Sequence, residues 1–124
     1  MNTRKIEEAM RLARALPGWS IPDIILARKC AGKLHRADEA KCNGDAYLDD
    51  ETGAWRDRHG RPCRNPYGRA AKTLDNITAS YGWTWHHQSD PRGRSVYLMS
   101  PELLRSMKAR GVPVYHGYSQ GVAL

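Results

Sequence analysis

The chain has 124 residues, of which 40% are hydrophobic and 27% charged, a balance that fits one globular domain with a single core rather than a disordered or membrane-embedded chain. Its longest apolar run, Ile24 to Ala27, falls far below the roughly 20 residues that span a bilayer, and the N-terminus lacks the apolar stretch of a secretory signal, so a cytoplasmic protein is expected. Twenty Lys and Arg against thirteen Asp and Glu give a net charge of +7, which favours nucleic acid or an acidic protein surface as partner and excludes a mimic of DNA.

Asn2 or Thr3 can cap a first helix over residues 3–16, with Ile6, Ala9, Met10, Ala13 and Leu16 along one face. Arg4, Lys5, Arg11 and Arg14 fall largely outside that stripe, and Pro17-Gly18 ends it. Ser20 with Asp23 three residues later reads as a capping box, and Pro22 is tolerated in a first turn. A second helix over 21–42 follows, with Ile24, Ala27, Ala31 and Leu34 on one stripe that Asp38 can extend, and Ile25, Cys30, Ala37 and Ala40 widening it enough for two neighbours. Gly32 weakens its middle, and Asn43-Gly44 supplies the stop.

From Asp45 to Asn65 the helical period disappears. A short hairpin is expected over 46–56, turning at Asp49 to Gly53, and the whole of 45–65 reads as a mobile insertion. Asn65-Pro66 starts a helix over 66–81, in which Ala70, Leu74, Ile77 and Tyr81 recur at helical spacing. Two runs of β-formers then flank Asp90-Pro91-Arg92-Gly93, giving a hairpin over 83–99. A turn centred there sets His87 opposite Val96 and Trp85 opposite Leu98, while a slip of one residue would bring Tyr97 and Met99 beside the tryptophans. In the first register the other face carries Thr84, His86, Gln88, Ser95, Tyr97 and Met99, half polar and suited to a surface. A last helix over 101–110, an edge strand over 112–115 and a loose arm over 117–124 complete the expectation. The fold class is therefore α+β, a single domain of about four helices on a small antiparallel sheet built from hairpins.

The residue types of a metal site are present in Cys30, His35, Cys42, His59, Cys63, His86 and His87, but only His59 and Cys63 approach the paired spacing of structural zinc ligands. Cys30 and Cys42 sit about 120° apart around a helix and share no face. With three cysteines and a reducing compartment, no disulfide is expected, and neither a metal nor another cofactor is assigned. His86 and His87 point to opposite faces of a strand, so they cannot serve one catalytic centre, and no nucleophile with base and orienter stands at a sensible spacing. The chain reads as a non-enzyme.

Two binding surfaces follow from the pattern. A helix followed by a hairpin has the order of a winged-helix unit, in which Arg64, Arg69 and Lys72 near the helix start and Arg92 and Arg94 near the hairpin tip would meet a groove and its phosphates. Asp75 and the acidic run Asp49 to Glu51 interrupt that positive field. A protein-binding module is the other reading, since Arg, Tyr and Trp dominate binding hot spots and this chain has four Trp and six Tyr. Arg92, Arg94, Tyr97 and His86, at the tip or on the outer face of the hairpin, are its candidate contacts.

His87-Gln88, Asp90-Pro91-Arg92-Gly93 and Tyr97-Leu98, after a helix ending in Tyr81-Gly82, resemble a run in small uncharacterised proteins of tailed phages and prophages. Leu34-His35-Arg36 and Cys42-Asn43-Gly44-Asp45 are similar to an earlier stretch of the same family, and the matches cover about a third of the chain. The resemblance implies a phage or mobile-element origin and supplies no catalytic or binding residues. By class analogy the expectation is a non-enzymatic accessory protein that inhibits or modulates a host protein or ribonucleoprotein complex, most sharply a defence nuclease such as a CRISPR effector. The alternative is a direct DNA- or RNA-binding regulator of winged-helix type.

Overall fold

The computed structural model describes residues 3–90, 93–113 and 120–124; of residues 89, 90, 93 and 94 it describes the backbone only. The element order is α1 (Thr3–Ala13), α2 (Ile21–Cys42), β1 (Ala46–Leu48), β2 (Trp55–Asp57), α3 (Ala70–Ser80), β3 (Thr84–Asp90), β4 (Gly93–Met99), α4 (Pro101–Ala109) and β5 (Val122–Ala123). The result is an α+β fold with one two-stranded sheet, β1-β2, and one three-stranded sheet, β3-β4-β5, both antiparallel.

Helix α2 is the hub, packing against α1, α3, β4 and β1. Ile24, Ala27, Ala31 and Leu34 are buried as its stripe requires, and Cys30 and Ala37 are buried with them. All of these but Ala37 meet Leu74 and Ile77 from α3 and Val96 and Leu98 from β4 in one apolar cluster, and burying a large aliphatic side chain of this kind stabilises by roughly 1.5–3 kcal/mol. Small residues at 27, 31 and 37 let neighbouring backbones approach α2 closely.

The N-terminus of α2 is closed by Ser20, whose hydroxyl accepts from the Asp23 amide at 3.2 Å. It is also tied to the end of α3. The Tyr81 hydroxyl accepts from the Ser20 amide at 3.1 Å and donates to the Asp23 carboxylate. Trp19 stacks on Tyr81 at 4.6 Å and meets Trp83 edge-on at 5.6 Å, so three aromatic rings join the α1–α2 turn to the start of the sheet.

The β3–β4 register pairs His87 with Val96, Trp85 with Leu98 and Thr84 with Met99. The slipped register is thereby excluded. Val96 and Leu98 are fully buried, and Trp83 and Trp85 pack at the edge of the same cluster.

Several expectations need correction. Met10 is exposed, because Ala9 and Leu16 already fill the contact that α1 makes with the core. The third helix begins at Ala70 rather than at residue 66: Gly68 has φ +55°, a left-handed conformation that a right-handed helix cannot include, and residues 66–69 form turns instead. Met99 is buried although it lies in the row expected to face solvent. Val112 and Pro113 belong to no strand, and residues 114 and 115 lie outside the described residues. The third strand is β5, within the stretch expected to be a loose arm: Tyr97 pairs with Ala123, Leu98 pairs with Val122, and the Leu124 amide donates to the Val96 carbonyl at 2.8 Å. Backbone pairing and the packing of Val122 and Leu124 on the core order these residues. Residues 117–119 lie outside the described residues.

Candidate functional site

Lys5 and Glu8 of α1 stand three residues apart, and Lys29, Gly32 and Arg36 recur on α2 at spacings of three and four, so each set shares a helix face. Packing α1 on α2 and ending the sheet at Leu124 encloses a cleft of about 500 Å³ lined by these residues together with Ile25, Arg28, Ala31 and His35. Glu8 is neutralised within it, bonded to Arg28 and 3.4 Å from Arg4. The Arg28 hydrogen bond holds the Glu8 carboxyl below its usual range, outweighing the opposing effect of partial burial. Lys5, Lys29 and Arg36 have no carboxylate partner among the described residues. The cleft is therefore a concave surface with net positive charge and an apolar floor.

Gly32 explains part of that shape. A glycine inside a helix costs about 1 kcal/mol against alanine, and Gly32 has no left-handed φ that would require one. A Cβ placed there would come within 3.3 Å of an Arg36 guanidinium nitrogen. The missing side chain leaves room for the guanidinium to lie back over the helix.

Behind the cleft, a polar chain crosses from α3's approach to the sheet. The Tyr67 hydroxyl donates to Asp38 Oδ1 at 2.6 Å, Asp38 Oδ2 is 3.5 Å from His87 Nδ1, and His87 Nε2 is 3.3 Å from His35 Nδ1. Asp38 and His87 are each about one-sixth exposed. Tyr67 also contacts Trp55, and its amide donates to the Asn65 side chain at 2.9 Å, so the loop that carries it is anchored at both ends. His35 and His87, from stretches distant in sequence, are thus brought into contact.

The residues singled out from sequence lie elsewhere. His86 and Tyr97 are directly paired across β3 and β4, in the row opposite to His87, and both are half-buried. Arg92 and the side chain of Arg94 lie outside the described residues. Arg64, Arg69 and Lys72 are exposed: Arg64 in the loop before α3, Arg69 at its N-cap position, Lys72 in its first turn. The exposed row of α3 continues with Asp75, whose carboxylate accepts the Trp85 indole N–H at 2.6 Å. His59 and Cys63 are exposed in the loop after β2, and no group of three or more metal-ligating side chains stands together among the described residues. All three cysteines are free thiols.

Sequence reasoning missed Lys5, Lys29 and Arg36 as members of one cleft, and Asp38 as the link between Tyr67 and His87 behind it. The signals available were an unexplained glycine at 32 and a His-x-x-Asp spacing at 35 and 38, which puts both side chains on one face of a helix. Comparison with protein-family models, with curated proteins and with solved structures finds no match to this chain.

Proposed function

We propose that this chain is a non-enzymatic binding protein that attaches to a host nucleoprotein complex by contacting its nucleic acid. The observation that carries the reading is the set of three cations, Lys5, Lys29 and Arg36, gathered around one cleft with no carboxylate partner among the described residues. A concave surface of this sign concentrates phosphate groups. The net charge of +7 acts in the same direction at longer range. A phage or prophage origin, action in the host cytoplasm and a defence nuclease such as a CRISPR effector as the target complex belong to the same proposal, on the strength of the resemblance carried by residues 34–36, 42–45, 87–93 and 97–98.

The test is binding of labelled single-stranded RNA, single-stranded DNA and duplex DNA across a salt series. A phosphate-contacting protein loses affinity steeply as counterions compete, and substituting Lys29 and Arg36 together by alanine should both weaken binding and flatten the salt slope. Absence of binding to every strand at low salt overturns the reading. Two other surfaces remain as outcomes of a pull-down from host lysate. A partner recovered equally before and after nuclease treatment, and lost on substituting Tyr97 and His86, would assign the contact to the outer row of the hairpin. Duplex binding lost on substituting Arg64, Arg69 and Lys72 would assign it to α3 in the winged-helix manner.

A further inference from the structure

We infer that the α1–α2 cleft holds a single phosphorylated nucleoside unit, either the 5′-phosphate end of a strand or a free mononucleotide. The inference rests on the reading above and narrows it from a nucleic-acid backbone to a strand end.

Three features of the cleft point there. Its volume of about 500 Å³ falls within the size of small-ligand sites, about 300–1,000 Å³, whereas tracking a backbone takes a row of contacts along an open surface. Its cations outnumber what one diester needs: a phosphomonoester carries a charge of about −1.5 to −2 near neutral pH, against one negative charge for each internal phosphate. Lys5, Lys29 and Arg36 supply three positive charges after Arg28 and Glu8 have neutralised each other. The cleft also has an apolar side, where Ile25 and Leu124 offer a surface for the base or sugar that a bare anion would not use.

Gly32 ties the helix to this role. Its missing side chain gives the Arg36 guanidinium the space it occupies over the helix, so the position has a use that helix formation alone does not explain. A planar guanidinium suits phosphate because it can present two parallel N–H donors, and Lys29, about two turns earlier on α2, adds a point charge to the same cleft. His35 lines the same cleft and is held from behind by His87.

The experiment compares short single strands that carry a 5′-phosphate or a 5′-hydroxyl and are labelled at the other end, with adenosine monophosphate as a competitor. The phosphorylated strand should bind about tenfold more tightly, and the mononucleotide should displace it. Arg36→Ala and Lys29→Ala should each abolish the preference, while Lys108→Ala on α4 should leave it intact. Gly32→Ala is the sharpest variant. It should leave the denaturation midpoint unchanged or raised and still reduce the preference, because the new methyl, 3.3 Å from a guanidinium nitrogen, crowds Arg36 and makes it give by a few tenths of an ångström. Equal binding of the two strands overturns this inference and leaves the nucleic-acid reading standing. Binding of the mononucleotide with no strand bound supports the cleft site and overturns that reading. Failure of strand and mononucleotide alike overturns both.

Discussion

His87 Nε2 lies 3.3 Å from His35 Nδ1, joining β3 to α2 across 52 residues of sequence. The partners determine where the protons sit. Asp38 faces His87 Nδ1 and is an acceptor only, so that nitrogen carries hydrogen and Nε2 is left to accept from His35 Nδ1. Both neutral rings are therefore expected as Nδ1–H tautomers. Long-range nitrogen–proton correlation spectra of labelled histidine, recorded at about pH 8, read this directly. Nε2–H signals for His87 would show that Asp38 does not orient it.

Tyr67→Phe should lower stability by about 1–2 kcal/mol, the usual range for a hydrogen bond to a charged group that is partly exposed. The ring contact with Trp55 survives in this variant, so the loss reports the bond to Asp38 rather than the packing of the loop. Urea denaturation measures it, and an unchanged midpoint would mean that water replaces the hydroxyl at no cost.

Acid should weaken the fold through Glu8 and Asp49. The Arg28 hydrogen bond lowers the Glu8 carboxyl from its ordinary value of 4.5, with Arg4 adding to it. Asp49 is lowered from 3.8 by the Arg56 hydrogen bond and then by the Glu51 amide. A carboxyl that ionises more readily when folded contributes stability fully above its unfolded value, and that contribution is lost as the pH falls through the lower folded value. Stability should decline from about pH 5 downward, and Glu8→Gln with Asp49→Asn should flatten that decline by removing the contribution the two carboxylates make at neutral and alkaline pH. Denaturation midpoints across the acid range decide it, and an identical slope in the double variant would place the acid sensitivity elsewhere.

The three thiols should react at two rates. Cys42 and Cys63 are exposed, whereas Cys30 is 6% exposed and its thiol is pushed up by burial, against the smaller pull of Lys33 and Lys29. Less thiolate and less access both slow attack on a disulfide reagent. Two thiols should be titrated quickly in the folded protein and the third only on unfolding. Three equal rates would show that α2 opens readily around Cys30.

Much of the fold is readable from local pattern. The span of α2 follows from Ser20 at one end and Asn43-Gly44 at the other, and the main hairpin follows from its two runs of β-formers around a turn, whereas its register is left open between two alternatives until the backbone pairs His87 with Val96 and Trp85 with Leu98. What escaped depends on contacts between distant segments. Nothing in Gly121-Val122-Ala123-Leu124 marks a strand until β4 offers an edge. The start of α3 was misplaced because Asn65-Pro66 is a good helix opening, while the left-handed Gly68 is visible only in the backbone. The cleft was hidden for the same reason: Lys5 and Lys29 read as solvated charges on separate helices, and only the packing of α1 on α2 brings them together.

The placement of β5 leaves the three-stranded sheet with unequal borders. β4, which carries the fully buried Val96 and Leu98, is shielded on both sides, by β3 and by β5. Its backbone groups are consumed within the chain along the paired stretch, and a neighbouring molecule finds no row there to extend. The two outer strands are of very different length, seven residues in β3 against two in β5. Removing β5 would uncover β4 along Tyr97 and Leu98, and that stretch is where self-association should then appear and where a charged substitution would suppress it.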